Sequence, residues 1–142
     1  MTEPTPDPRV GMTVTHRRYV PYSHAHYAGD LVDGAYGLGL FGDVATELSI
    51  RTDGDEGLFA SYSDVQFRAP VRAGDCIEVT AELVAAGTRS RTMDFRLSVI
   101  TRGRPELSES AAELLAEPLL ATTARGVVVV PARRVLDDAP SG

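Results

Sequence analysis

The chain has no lysine, a single cysteine and no long apolar run. All fourteen basic residues are arginine, which excludes Schiff-base chemistry on a lysine and a phosphate-binding loop that relies on a lysine amine. Cys76 stands alone, so neither an intrachain disulfide nor a cysteine-rich zinc site can form. No segment approaches the roughly 18 apolar residues that are needed to cross a bilayer. These absences exclude lysine-based catalysis, cysteine-rich zinc sites and membrane-spanning segments.

The net charge and the length of the chain bear on its partners and its domain organisation. The net charge of −6 argues against general attraction to nucleic acid or to anionic membranes. The 142 residues suggest one domain with a core of its own. We interpret 1–10 as a flexible leader, 11–131 as a single domain and 132–142 as a polar tail. Because the N-terminus is acidic and proline-rich, we expect no signal peptide and a cytoplasmic location.

One segment has the apolar period of a helix. From Gly34 to Ile50, apolar residues recur at steps of three and four, which predicts one helix with a single apolar stripe. The members of that stripe are Ala35, Leu38, Phe41, Ala45 and Leu48. Asp33 is placed to cap the helix, and an Asp-Gly turn follows it.

After the helix the apolar period changes to two, which is typical of strands with one buried face. With a first strand before the helix, the predicted strands cover 12–20, 58–67, 77–83, 93–99 and 122–131. A short helix is predicted within 103–118, because Ser110 and Glu113 fit a capping box. One helix with a curved antiparallel sheet of about five strands gives an α+β fold class.

Two carboxylates interrupt the apolar helix. Asp43 and Glu47 lie one turn apart, roughly opposite Leu38 and Phe41. A solvated outer face explains them as well as a functional face does, on pattern alone. We expect no arginine to balance them from one turn away, and this absence of a partner favours function.

Two further features favour function. The helix contains four glycines, each costing roughly 1 kcal/mol relative to alanine, so that a close approach of backbone or ligand is expected. They are Gly34, Gly37, Gly39 and Gly42. The loop before the helix is rich in groups that bind or move protons, namely His24, His26, Tyr27, Asp30 and Asp33. Each histidine is equally well explained as a surface residue. Metal binding by the two histidines is the weaker hypothesis, because third and fourth ligands are missing, and we predict no metal.

At this point the sequence resembles a known family. The runs HAHYAGDLVDGA, LFGDVATEL and VQFRAPVRAGDCIEVTAELVAAG resemble the 3-aminobutyryl-CoA ammonia-lyases and the related β-alanyl-CoA ammonia-lyases, which have the hotdog fold. The resemblance extends from about Tyr19 to Pro131. The part at 65–75 is common to hotdog proteins and indicates the fold only, whereas HYAGDLVDGA with FGDVATEL is more specific.

The resemblance implies a substrate, an assembly and a site. The substrate would be a short β-aminoacyl-CoA, converted reversibly to an enoyl-CoA and ammonia, with coenzyme A as part of the substrate and no other cofactor. The protein would be a homo-oligomer, a dimer or a trimer of dimers, in which each active site uses both subunits. Nucleic acid and membranes are not expected partners.

That reaction needs a base, a holder for an enolate oxygen and a pocket for an ammonium group. The catalytic candidates are Asp43, Glu47 and His26. The substrate-binding candidates are the backbone of Gly34 and Ala35, the side chains of Tyr36 and Tyr62, and, for the coenzyme A phosphates, Arg89, Ser90 and Arg91. The last three also fit an ordinary polar hairpin.

Other functions fit the same fold, because a fold does not fix a reaction. A hotdog acyl-CoA thioesterase would use a helix carboxylate to direct water to the thioester, and an enoyl-CoA hydratase would add water to the double bond. A non-catalytic acyl-CoA binding protein is an alternative of another class. Incubation with crotonyl-CoA and ammonium separates the lyase, the thioesterase and the binding protein, since each gives a different product or none.

Overall fold

The computed structural model describes residues 6–133. Its elements are β1 (Thr13–Tyr19), a short 3-10 helix (Tyr22–His24), α1 (Gly34–Asp53), β2 (Leu58–Phe67), β3 (Cys76–Ala86), β4 (Ser90–Gly103) and β5 (Ala112–Val129). The predicted α+β class, with one long helix and five strands, is confirmed. Residues 1–5 of the predicted leader and 134–142 of the predicted tail lie outside the described residues.

The strands form one antiparallel sheet in the order β1-β3-β4-β5-β2. Helix α1 lies against the inner face, and the core forms between them. Its largest fully buried side chains include Phe41, Leu48, Ile77, Leu83, Met93 and Leu97. The helix wrapped by a curved sheet is the arrangement that the resemblance implies. Strands β1 and β2 are the two edges, so the helix is flanked by one edge strand on each side.

Local chemistry sets both ends of α1. The Asp33 carboxylate accepts a hydrogen bond from the Tyr36 N–H at 3.0 Å, which confirms the predicted cap. Gly54 ends the helix in the left-handed conformation, with φ of 65°, which glycine adopts without strain. The helix therefore runs three residues beyond its predicted end at Ile50.

The buried face of α1 is rotated from the predicted stripe. Ala35 is exposed and Leu38 is only half-buried, whereas Leu40 and Val44 are buried. The buried helix residues are Gly37, Leu40, Phe41, Val44, Ala45, Leu48 and Ser49. The five predicted positions lie along one side of this face, which is why the stripe was only partly right.

The helix predicted within 103–118 is wrong. Residues 105–110 form turns, and β5 already begins at Ala112. Glu113 pairs with Arg102 across the strands, and its carboxylate accepts a hydrogen bond from Arg104 instead of capping a helix. Pro118 falls at a shift of register between β4 and β5, where its missing N–H costs no ladder hydrogen bond.

Part of the predicted leader packs on the domain. Arg9 of the leader lies 2.7 Å from Asp53, and the next glycine, Gly11 at the start of the predicted domain, donates its N–H to the Leu83 carbonyl at 2.8 Å. Asp53 is the last residue of α1 and also receives two hydrogen bonds from Arg91. Residues 7–11 are therefore held against the C-terminal end of the helix.

Candidate active site

The inner face of β1 supplies basic partners to the two helix carboxylates. Every second residue of β1 points towards α1, and this row includes His16 and Arg18. His16 Nε2 lies 2.9 Å from Glu47 Oε1, and Arg18 Nη2 lies 3.2 Å from Asp43 Oδ2. Each carboxylate therefore meets a different group of the same strand.

Glu47 is engaged on both oxygens. Oε1 meets His16, and Oε2 accepts a hydrogen bond from the Arg51 Nε at 2.9 Å. The hydrogen bond from His16, followed by the one from Arg51, lowers the pKa of the Glu47 carboxyl below its usual value. The expectation that no arginine stands one turn away is wrong, because α1 continues through Arg51. A carboxylate held in this way is poorly placed to take a proton from a substrate.

Asp43 is held on one side only. Its Oδ2 meets Arg18, while Oδ1 has no hydrogen-bond partner among the described residues. The side chain is 54% exposed. Asp43 is thus the helix carboxylate that keeps one oxygen free of hydrogen bonds within residues 6–133.

Two tyrosines stand near Asp43. Burial raises the pKa of the Tyr36 hydroxyl, with the Asp43 charge contributing in the same direction and Arg18 opposing it. Burial, and then the Asp43 charge, raises the pKa of Tyr62 to about 12. The Tyr62 hydroxyl donates a hydrogen bond to the Leu38 carbonyl at 2.6 Å, so its oxygen lone pairs remain free to accept.

The four helix glycines divide into two kinds. A Cβ at Gly34 would clash with the Phe67 ring, and one at Gly37 would lie 3.3 Å from Leu97. A Cβ at Gly39 or Gly42 would meet nothing within 4 Å. The first two glycines permit close packing within the domain, whereas the outer two leave open space beside Asp43.

A cavity of about 440 Å³ opens at the N-terminus of α1. The loop and first helical turn line one wall with Tyr27, Val32, Asp33, Gly34, Tyr36 and Gly37, and the other wall consists of Phe67, Arg68, Ala69, Pro70, Val71, Leu97 and Thr122. The lining is largely apolar, with a few polar groups near the helix end. Such a composition is typical of small-molecule sites.

The histidines of the preceding loop lie beside this cavity. His26 Nδ1 is 3.9 Å from Asp33 Oδ2, and its side chain is largely exposed. The His24 ring lies against the Tyr36 ring, with centroids 4.3 Å apart and the planes tilted by 36°. The structure therefore brings His26 to Asp33 and His24 to Tyr36, but it brings neither to Asp43 by a direct contact.

The first turn of α1 offers free N–H groups. Asp33 takes the N–H of Tyr36, and those of Gly34 and Ala35 precede the first intrahelical hydrogen bond, so they are free to bind an oxyanion. At 1.5 Å per residue, Ala35 and Asp43 are about 12 Å apart along the helix. A base and an oxyanion donor must both lie about 3 Å from neighbouring atoms of the thioester. Asp43 and the first turn of one helix are therefore too far apart to act together on one thioester group.

The hairpin candidates lie elsewhere. Arg91 is buried, with hydrogen bonds from its guanidinium to both Asp53 oxygens at 2.7 and 2.9 Å. The expectation that Arg91 contacts phosphate is therefore corrected, because this guanidinium points into the domain. Arg89 and Ser90 are exposed on the turn, far along the sheet from the cavity lining.

Two absences concern the described residues. Across 6–133, no three side chains of histidine, cysteine, aspartate or glutamate come together in a way that could hold a metal ion. In the same part of the chain, no helix is both long and apolar enough to cross a membrane.

Sequence reasoning missed His16 and Arg18. A signal was present, because Val14 and Val20 share their strand parity and are both buried. Polar residues on the buried parity of an edge strand need partners on the facing element. The facing element carries Asp43 and Glu47, so the pairing could have been anticipated from the alternation.

No protein-family model matches the chain. The 3-aminobutyryl-CoA ammonia lyase of Acetoanaerobium sticklandii is 50% identical over 107 residues, which are 75% of this chain and 85% of that protein. The solved β-alanyl-CoA:ammonia lyase from Clostridium propionicum is 34% identical with a TM-score of 0.81, covering 85% of this chain and 86% of that one. A hexameric hotdog-fold thioesterase of Campylobacter jejuni has a TM-score of 0.68 at 17% identity, covering 83% and 82%, and that likeness concerns the fold alone.

Proposed function

This chain belongs to the family of 3-aminobutyryl-CoA and β-alanyl-CoA ammonia-lyases, which are carbon–nitrogen lyases, and from this premise we propose that it removes ammonia reversibly from a short β-aminoacyl-CoA. With 3-aminobutyryl-CoA the products are crotonyl-CoA and ammonia. The reaction needs no cofactor beyond the coenzyme A of the substrate. A cytoplasmic location and a homo-oligomer of dimers are part of the proposal.

The asymmetry between the two helix carboxylates carries the assignment of the base. Asp43 has an unoccupied oxygen beside the open space at Gly39 and Gly42, whereas Glu47 uses both oxygens within the protein. Asp43 takes a proton from the carbon next to the thioester carbonyl, and the electron pair moves onto the carbonyl oxygen as an enolate. When that pair returns to form the carbon–carbon double bond, the bond to nitrogen breaks and ammonia leaves. Glu47 has a positioning role on the same helix face.

The enolate oxygen is bound by the free N–H groups of Gly34 and Ala35, at the positive end of the helix dipole. Since these groups lie about 12 Å from Asp43 along one helix, the donors and the base of one site come from different protomers. The cavity at the helix N-terminus then receives the acyl chain. This arrangement agrees with the two-subunit sites that the resemblance implies.

The ammonium group of the substrate is placed between Tyr36 and Tyr62. The Tyr62 oxygen is free to accept, because its proton is directed to Leu38. Aromatic faces also attract cations within about 6 Å. The nearby Asp43 charge adds to this attraction before the proton is transferred.

A second location for the base is the pair of His26 and Asp33. Asp33 lines the cavity and lies 3.9 Å from His26, close to the N–H groups of the same helix. In this alternative one protomer would supply both the base and the N–H donors for the enolate oxygen. Asp33→Asn separates the two locations, since asparagine keeps the helix cap and removes the charge.

The reaction is tested by incubating the protein with crotonyl-CoA and ammonium. Loss of the enoyl absorbance together with a mass increase equal to ammonia is the expected result. Release of free thiol would indicate a thioesterase, a mass increase equal to water a hydratase, and no change a binding protein. Any of these three outcomes contradicts the proposal.

The division of the site between protomers has a test of its own. Asp43→Asn lacks the base, and Ala35→Pro lacks one N–H while proline is tolerated in the first helical turn. Each variant alone should be inactive. Unfolding and reassembling the two together should restore about a quarter of wild-type activity, since half of random dimers are mixed and half of their sites are intact. No recovery in verified mixed dimers would place the whole site in one protomer.

A further inference from the structure

Most arginines of the described chain are neutralised by carboxylates. Eight of them form ion pairs, namely Arg9, Arg17, Arg18, Arg51, Arg91, Arg102, Arg104 and Arg125. Arg72 and Arg133 donate instead to the backbone carbonyls of Gly29 and Gly54. Five of the thirteen arginines in residues 6–133 have no ion-pair partner there, and besides Arg72 and Arg133 these are Arg68, Arg89 and Arg96.

Two such arginines neighbour the same threonine, one by a hydrogen bond and the other by its position in the sheet. Arg68 Nε lies 3.3 Å from Thr123 Oγ1. Arg96 is the direct cross-strand partner of Thr123, so that both side chains leave the same outer face of the sheet. Neither Arg68 nor Arg96 has an ion-pair partner within residues 6–133. Two arginines that neighbour one threonine and have no carboxylate partner within residues 6–133 are suited to bind an anion.

This pair adjoins the cavity at the helix N-terminus. Arg68 lines that cavity, where β2 has just ended at Phe67. Thr123 and Arg96 line a groove of about 730 Å³ on the outer face. A long ligand whose reactive end lies in the cavity, and which leaves it past Arg68, therefore reaches Thr123 and Arg96 next.

The carboxylates of the groove lie mainly beside Arg125. Asp94 forms an ion pair with Arg125, Glu82 is the cross-strand partner of Asp94, and Asp64 adds to the charge around Arg125. The groove thus has an acidic part along Glu82 and Asp94 and a basic end at Arg68 and Arg96. An anion is favoured at the basic end only.

We propose that Arg68 and Arg96, on either side of Thr123, bind a phosphate group of the coenzyme A part of the substrate. This inference rests on the proposed function for the identity of the ligand. Guanidinium groups bind phosphate oxygens through paired, charge-assisted hydrogen bonds, and the threonine hydroxyl supplies a third donor. The site replaces the hairpin at 89–91 as the phosphate contact of this chain.

The test compares two substrates that differ only in the nucleotide part. Crotonyl-CoA carries the phosphates, and crotonyl-pantetheine has the same acyl and pantetheine parts without them. For Arg68→Gln and for Arg96→Gln, kcat/KM with crotonyl-CoA should fall about tenfold or more, because a hydrogen bond to a charged group contributes at least that factor. With the truncated thioester, kcat/KM should stay within about twofold of wild type. With crotonyl-CoA, kcat/KM should fall further in the double variant than in either single variant.

Arg17→Gln is the matched control, since Arg17 lies on the outer face of the same sheet at the opposite edge. This variant should leave kcat/KM unchanged with both substrates. The proposal is overturned if the Arg68 and Arg96 variants have the same kcat/KM with crotonyl-CoA as this control. It is also overturned if their kcat/KM falls by the same factor with both thioesters.

Failure of the proposed function is distinguishable from failure of this site. Should wild type add no ammonia, the proposed function fails, and calorimetric titration with free coenzyme A and with pantetheine then decides the phosphate site. Weaker binding of coenzyme A by the Arg68 and Arg96 variants, with pantetheine unchanged, supports it. Unchanged binding of coenzyme A contradicts it.

Discussion

The ion pair at the C-terminal end of α1 allows one stability prediction to be worked from the structure. Asp53 and Arg91 have side chains that are only 9% and 6% exposed, and two hydrogen bonds join them. The hydrogen bond from Arg91 is the main cause of the lowered pKa of Asp53. Asp53→Asn keeps the shape of the side chain but removes the carboxylate that pairs with the buried Arg91 and with Arg9.

Removing one partner of a buried ion pair costs about 3–5 kcal/mol. Arg91 retains hydrogen bonds to the carbonyls of Gly87 and Ser90, both at 2.9 Å. We therefore expect the lower end of that range, about 3 kcal/mol of unfolding free energy. Urea denaturation at pH 7 and fixed protein concentration measures the loss.

Asp94→Asn is the matched control, because Asp94 also receives two hydrogen bonds from one arginine, Arg125. This pair is about half exposed, and exposed pairs contribute about 0.2–1 kcal/mol. The reasoning predicts a loss at least about three times larger for Asp53→Asn. Equal losses from the two substitutions would show that burial does not determine the strength of these pairs.

Three further predictions concern stability. Ser49→Ala should raise the unfolding free energy by about 1 kcal/mol, because the buried Ser49 hydroxyl has no hydrogen-bond partner among residues 6–133; destabilisation in urea would contradict this. Gly57→Ala should cost about 2 kcal/mol or more, since φ is 70° and the new Cβ would overlap Val128; an unchanged urea midpoint would oppose it. Because the pKa values of Glu47 and Asp53 are lowered on folding, their contribution is present above the unfolded values near 4 and is lost as pH falls through the lower folded values. The urea midpoint should therefore decrease from pH 5 to pH 3, and the decrease should be smaller in Glu47→Gln.

The fold followed from periodicity, and its errors have local causes. The change from a period near 3.6 to a period of two separates α1 from β2–β5, and Asp33 and the Asp-Gly turn indicated where the helix begins and ends. The stretch around Ser110 and Glu113 carries a helix-capping signal, but pairing with β4 overrode it. Local preference is weak where a long neighbouring strand offers unpaired backbone groups.

The sequence allowed individual site residues to be predicted, but it gave little indication of which residues they contact. The pattern identified Asp43 and Glu47 as a pair, yet their difference depends on β1, which approaches from a distant part of the chain. Arg51 engages Glu47 as an i,i+4 pair, which follows from helical spacing once the helix continues past Ile50. The contact from His16 does not, because it depends on the approach of β1. Arg91 was predicted to lie in a hairpin turn, and that prediction gave no sign that Arg91 lies at the start of β4 with its side chain buried against Asp53.

The central claim is that Asp43 is the catalytic base and Glu47 is not, and the most direct measurement is the rate of ammonia addition to crotonyl-CoA by Asp43→Asn and Glu47→Gln. Loss of a positioned base lowers a rate by about 10²–10⁴. We predict a loss of that size for Asp43→Asn, with unchanged oligomeric state, and less than about tenfold for Glu47→Gln. Near-normal turnover by Asp43→Asn would contradict the account, and a loss in Asp33→Asn instead would move the base to the cavity at the helix N-terminus.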